Sequence, residues 1–160
     1  MKKIYLCTLF ILIMNLLKAQ NDDCSDYCSD NCYYRYTASG YQDIINGNHS
    51  KARNESYKMA NITAVAELSK MVSSTVTRAM ETMTMEDDAF FYEMYSDTAL
   101  ISSYKVFKNI KTICRSETKL IGNTYVTYVT KEISLDNICN MIQFKKETDK
   151  QRFRKLLEKK

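Results

Sequence analysis

The residues best suited to chemistry are three cysteines near the N-terminus. Cys24, Cys28 and Cys32 recur every four residues in CSDYCSDNC, interleaved with Asp26 and Asp30. On a helix this spacing places three sulfurs along one face, and thiolates bind soft metals. Strong zinc signatures use C-x₂-C pairs, however, and a fourth ligand would have to come from elsewhere. We therefore favour the alternative that residues 20–32 form an extended, acidic, cysteine-rich arm whose thiols enter disulfides.

The cysteine count limits how these thiols pair. Five of the six cysteines follow residue 19, and all five are disulfide candidates: Cys24, Cys28, Cys32, Cys114 and Cys139. An odd number leaves at least one thiol free or joined to another molecule. We expect one arm cysteine to pair with the distal Cys114 or Cys139, and the sequence does not choose between them.

No other group of residues predicts catalysis. The single histidine, His49, follows Gly47 and Asn48 in a polar turn, where an incidental role is far commoner than a catalytic one. The acidic run Glu86-Asp87-Asp88 lacks the alternating ligand spacing of a calcium loop. With three glycines the chain contains neither GxGxxG nor GxxxxGK[ST]. We predict that the protein is not an enzyme and needs no cofactor.

The N-terminus has the pattern of a secretory signal peptide. Lys2 and Lys3 precede an apolar run from Ile4 to Leu17, and Lys18-Ala19 leads into polar sequence. The run is shorter than the roughly 20 residues that span a bilayer, which favours a cleaved leader over an uncleaved anchor, and Leu17 in place of a small residue two positions before Ala19 keeps the anchor as the alternative. We predict cleavage after Ala19 and an exported protein that is periplasmic, outer-membrane-associated or secreted.

Export would change the charge of the chain. Three of the 23 basic residues leave with residues 1–19, so the formal net charge falls from +4 to +1 and nucleic-acid binding is not expected. The remaining positive charge is concentrated at the C-terminus, because residues 145–160 contain eight Lys or Arg. Two interpretations stay open for this segment: peripheral contact with an anionic membrane surface, and a solvated helix end.

The elements between the two termini predict an α+β domain over residues 33–134. Tyr33–Gly40 is typical of a strand, and apolar residues at three- and four-residue steps predict a long helix from Ser50 to Met83, capped by Ser50 or Asn48. Strands are predicted over residues 100–113 and 124–133, with Gly122-Asn123 as a hairpin turn between them. The expected architecture is a small antiparallel sheet in β-α-β-β order against one long helix, followed by a basic C-terminal helix over residues 135–160.

These motifs resemble a family of small bacterial envelope lipoproteins, the LPP-twenty family. The similarity covers residues 33–134: the strand YYRYTASG, a helix pattern at Ala60, Ala64, Leu68 and Val72, and the later Tyr125-Val126 and Tyr128-Val129. The resemblance implies an α+β envelope protein without known catalysis, and it carries over no site residues. The chain departs from the family by keeping only Gly40 of the glycine pattern and by lacking a lipid-accepting cysteine next to the apolar run.

Two functional hypotheses follow. The first is a non-enzymatic envelope protein that binds another envelope protein or a surface component through its sheet face or an exposed hairpin edge. The second is a thiol- or metal-dependent module built on Cys24, Cys28 and Cys32.

Overall fold

A computed structural model describes the chain at Cys24, Tyr27, residues 29–86, residues 108–142, Phe144 and residues 146–159. The predicted signal peptide, Cys28, Asp87-Asp88 and the predicted strand residues 100–107 lie outside the described residues.

The fold is α+β, as predicted, with two elements more than the sequence indicated. The order is β1 (Tyr33–Asp43), α1 (His49–Glu86), β2 (Lys111–Arg115), β3 (Lys119–Ile121), β4 (Thr124–Ser134), α2 (Leu135–Asn140) and α3 (Glu147–Glu158). The predicted β-α-β-β order is therefore short by one strand, and the single C-terminal helix over residues 135–160 is two helices.

The sheet is antiparallel and β4 is its central strand. β1 pairs with one side of β4 in continuous register, from Tyr33 opposite Ser134 to Asp43 opposite Thr124. β2 and β3 share the other side of β4. The predicted Gly122-Asn123 hairpin is confirmed, and it joins β3 to β4 with Gly122 at φ 63°.

In its described part, the strand predicted over residues 100–113 is confirmed at residues 111–113 and wrong at residues 108–110. Lys108 and Asn109 form a helical turn, and β2 begins only at Lys111. Strand structure is interrupted over residues 116–118 between β2 and β3, although Ser116 stays bonded to β4 because its N–H donates to the Tyr128 carbonyl at 2.9 Å. A bulge between Thr112 and Cys114 also shifts the register. An interrupted edge strand has too few alternating residues to be recognised as two strands.

Helix α1 lies against one face of the sheet, which we call the inner face. Its small residues Ser56, Ala60 and Ala64 are fully buried there, and the predicted core residues Leu68 and Val72 continue the contact. Gly40 of β1 permits this approach, because a Cβ at that position would lie 1.9 Å from the Ser56 carbonyl oxygen. The small-residue pattern in the sequence therefore reports a helix packed close to a sheet.

The start of α1 selects one of the two predicted caps. Asn48 Oδ1 accepts a hydrogen bond from Lys51 N–H at 3.0 Å, whereas Ser50 already lies within the helix. Asn48 thus satisfies one of the four backbone donors that a helix N-terminus leaves unpaired.

The break between α2 and α3 is explained by the core that both helices share. Ile138 of α2 and Phe153 and Leu157 of α3 are buried in one cluster with Leu68 and Ile133. A straight helix would place Phe153 roughly 22 Å along the axis from Ile138, too far to share that core. Splitting the helix buries both apolar segments.

Among the described residues, none of the helices combines the length and the apolar character that a membrane span requires.

Candidate functional site

A disulfide attaches the N-terminal arm to the outer face of the sheet, opposite α1. Cys24 is bonded to Cys114 of β2, across a separation of 90 residues. Cys24 is buried, and its carbonyl accepts hydrogen bonds from the hydroxyls of Thr37 at 3.2 Å and Thr130 at 3.4 Å. Of the two distal partners that the sequence left open, the structure selects Cys114.

The predicted metal ligands do not share a helix face in the described part of the arm. Cys24 lies in a bend with φ 60°, and its sulfur is part of the disulfide. Cys32 lies in a second bend, and its thiol is exposed. Cys139 is also a free thiol, but it is buried in α2, and burial raises its pKa. Within the described residues no group of three His, Cys, Asp or Glu side chains is arranged to hold a metal ion.

The end of the arm covers the first part of β1. Asp30 accepts from the backbone N–H groups of Cys32 at 2.7 Å and Tyr33 at 2.9 Å, and its pKa is lowered first by the Cys32 hydrogen bond and further by Arg35. Arg35 also pairs with Glu132 of β4 at 2.7 Å. At the strand edge, Ser29 Oγ accepts from Arg35 N–H at 2.8 Å and donates to the Arg35 carbonyl at 3.1 Å.

Beyond the arm, the edge of β1 is open as far as residues 29–86 and 108–142 are concerned. Because Arg35 directs its N–H and C=O groups away from β4, the alternation of a strand directs those of Thr37, Ser39 and Tyr41 the same way. Within the described part of the chain no hydrogen bond reaches these six backbone groups. We call the N–H and C=O groups of these three residues the open edge.

Large apolar side chains cluster at the end of the sheet next to the open edge. Tyr41 is 58% exposed and Ile121 is 64% exposed, and both occupy the outer face. Two more exposed apolar residues lie beside the hairpin turn. Ile45 is close to it because Ile44 N–H donates to the Asn123 carbonyl at 2.9 Å, and Leu120 lies in β3 just before it. Exposed apolar residues beside unpaired strand groups are typical of a protein-binding surface.

The inner face holds a charged residue that the sequence analysis missed. Lys131 of β4 is 7% exposed, and its ammonium donates to Thr112 Oγ1 at 2.6 Å. Burial lowers its pKa. Lys131 alternates with Val129 and Ile133 along β4 and therefore lies on the same face as these two apolar residues. A lysine at such a position in the sequence is the signal that indicates a buried charge.

The remaining predicted residues lie apart from the open edge and from one another. His49 begins α1 and its Nδ1 lies 3.2 Å from the Tyr125 hydroxyl, at the surface. In the C-terminal segment Arg154 pairs with Asp136 and with Glu158, and Lys150 donates to Asn140 at 2.9 Å. These basic residues bind partners within the protein, and contact of the segment with an anionic membrane surface stays a prediction.

No model of a known protein family and no curated protein matches this chain. The resemblance to the LPP-twenty family therefore stays a prediction.

Proposed function

We propose that this is an exported, non-enzymatic protein of the cell envelope that binds another protein by adding a strand to the open edge of β1. The observation that carries the proposal is the set of backbone groups at Thr37, Ser39 and Tyr41 that have no partner among the described residues, next to the exposed apolar side chains at the hairpin end. Strand addition supplies main-chain hydrogen bonds for affinity, and neighbouring side chains supply specificity.

The composition of the edge supports this function. Between Tyr36 and Gln42 the strand has no Lys, Arg, Asp, Glu or Pro, the residues that natural edge strands use to prevent pairing. The first part of β1 is protected by the arm through Ser29, so the protection stops where the uncharged stretch begins. An unprotected edge of this kind favours pairing with another chain.

The disulfide supports export. A bond between Cys24 and Cys114 forms and persists in oxidising compartments, as the N-terminal pattern predicts. It also removes Cys24 from the set of thiols that a metal- or thiol-dependent module would need, so we favour the binding function over that alternative.

The binding surface can be tested in the cells that produce the protein. A photo-crosslinking phenylalanine analogue replaces Tyr41, and in a control chain it replaces Ile62, which is equally exposed but lies on α1 away from the sheet. We expect discrete protein adducts from position 41 and none from position 62. If position 41 gives no adduct, or both positions give the same adducts, strand addition at this edge is wrong.

Export is tested separately by the intact mass of the protein recovered from the cell envelope, with and without reduction. We expect a chain that begins at Gln20 and carries the Cys24–Cys114 disulfide. A retained leader or a fully reduced chain would contradict the proposed compartment.

A further inference from the structure

The open edge of β1 pairs, we propose, with the same edge of a second copy of this chain, which makes the protein a two-fold symmetric dimer with one continuous sheet. This inference rests on the proposed function and identifies the partner of the same site.

The register of such a dimer follows from which groups are already occupied. Ser29 Oγ holds the outward groups of Arg35, so a second strand has access only from Thr37 onward. An antiparallel pairing centred on Gly40 uses residues 37 to 43 of each copy and leaves the arm in place. It sets Ser39 opposite Tyr41 of the partner subunit, and their outward N–H and C=O groups then form a hydrogen-bonded pair.

The side chains fit this register without repulsion. Asp43, an exposed acid on the outer face, comes opposite Thr37 of the partner subunit and diagonal to Arg35 of the partner subunit, so two opposite-charge pairs flank the axis. The two copies of Tyr41 are diagonal neighbours across the axis and cover each other. No like charges face one another in this pairing.

The position of α1 leaves room for the second copy. The Ser56 carbonyl lies over Gly40 of β1, and Ser56 Oγ is 2.9 Å from Thr127 Oγ1 of β4. The helix therefore lies above the seam between the two strands, half a strand spacing from β1. The two-fold axis would lie half a strand spacing on the other side of β1, midway between the two paired β1 strands. Each helix would thus be one strand spacing, about 4.8 Å, from the axis, and the two helices would lie about 10 Å apart. That is a normal distance for packed helices.

The helix flank that would face the partner carries an exposed apolar residue. The Arg115 guanidinium stacks 3.8 Å from the centre of the Tyr57 ring, which marks the flank of α1 toward β2. Met59 lies on the opposite flank of the buried Ser56–Ala60 line and is 51% exposed. Pairing at the edge would bury Met59 of both copies between the helices.

The test compares substitutions of two exposed apolar residues, one at the open edge and one on α1 away from the sheet. The oxidised protein recovered from its own cells is studied by sedimentation equilibrium between about 1 and 100 µM, beside Tyr41→Lys and Ile62→Lys, with Ser39→Pro as a second edge variant. We expect a dimer for the unsubstituted protein and for Ile62→Lys. We expect at least a ten-fold weaker dimer for Tyr41→Lys and for Ser39→Pro, which lacks the outward N–H.

Hydrogen exchange gives an independent readout. The amides of Ser39 and Tyr41 should be protected in the dimer and exchange at least ten-fold faster in Tyr41→Lys, while the amides that bond β1 to β4 stay protected. A dimer that Tyr41→Lys and Ser39→Pro leave unchanged would place the interface elsewhere and overturn the inference.

The failure of the dimer is distinguishable from failure of the proposed function. A monomer at 100 µM whose position-41 crosslink has the mass of a different protein overturns the dimer and keeps the edge as a binding site. A monomer that yields no position-41 crosslink overturns both. A crosslinked species of twice the chain mass supports both.

Discussion

Replacing Gly40 by alanine should separate α1 from the sheet and destabilise the fold. The new Cβ would lie 1.9 Å from the Ser56 carbonyl oxygen and 2.5 Å from the Ala60 backbone nitrogen. Both are backbone atoms of a 38-residue helix, so no side-chain rotation relieves the contact. Since ordinary contacts between non-bonded atoms begin near 3.5 Å, the helix would have to retreat by roughly 1.5 Å.

The cost of that retreat is estimated from the packing that it would open. Ala38, Ala60, Ala64 and Val129 form a buried cluster beside Gly40, and they have no long side chains that could fill a gap. Overpacking a close-packed site typically costs 1–3 kcal/mol, and the lower entropy of an unfolded chain with alanine returns about 0.4–1 kcal/mol. Because the contact is with backbone atoms that cannot rotate away, the cost lies at the upper end of the overpacking range, and we expect the free energy of unfolding to fall by about 2 kcal/mol.

Urea unfolding followed by circular dichroism measures this difference. The protein concentration is held fixed because a dimer makes apparent stability depend on it. Ser39→Ala is the matched control, since it is the neighbouring residue with its side chain on the opposite face of the sheet, and it should change stability by about 0.5 kcal/mol or less. If Gly40→Ala were as stable as Ser39→Ala, the close approach of α1 would be wrong.

Two further predictions concern the disulfide and the buried lysine. In urea unfolding, the free energy of unfolding of the double variant Cys24→Ala/Cys114→Ala should fall by about 4–5 kcal/mol, which is the entropy of closing a 90-residue loop. Cys32 is exposed and free, so Cys32→Ala should change stability little. Equal stability of the two variants would refute the stabilising role of the disulfide. Lys131→Met should raise stability at pH 7 by on the order of 1 kcal/mol, because the ammonium is buried against one hydroxyl. The folded pKa of Lys131 is lowered, so between that pKa and the ordinary value of 10.5 the unfolded chain binds more protons, and Lys131's contribution to stability rises with pH through that window. The advantage of Lys131→Met should therefore shrink as the pH rises, and an advantage independent of pH would contradict this explanation.

The long helix and the central hairpin could be predicted because their signals are local. Spacing along α1 placed Ala60, Ala64, Leu68 and Val72 on its buried face, and all four are buried. The strand over residues 124–133 was found by its alternation, and Gly122-Asn123 identified the turn.

The features that were missed depend on distant parts of the chain. The split between α2 and α3 follows from the need of Phe153 and Leu157 to reach a core built by α1. The burial of Lys131 follows from the helix that covers its face and from Thr112 of a different strand. The choice of Cys114 over Cys139 follows from the bulge in β2, which sets Cys114 opposite Thr130 and hence on the face that Cys24 occupies.

The same bulge connects the disulfide to the open edge. By directing Cys114 to the outer face, it holds the arm over Thr130 and Thr37, so that Ser29 occupies the outward groups of Arg35 and no further. The arm thus sets where protection of β1 stops and where a second strand can begin. If the disulfide were reduced, the arm would lose its covalent attachment, and the accessible edge would extend back to Arg35. A pairing centred on Ser39 would then compete with the one centred on Gly40, because it would set Arg35 directly opposite Asp43 of the partner subunit instead of diagonal to it. In the proposed dimer, the disulfide would therefore favour the register centred on Gly40.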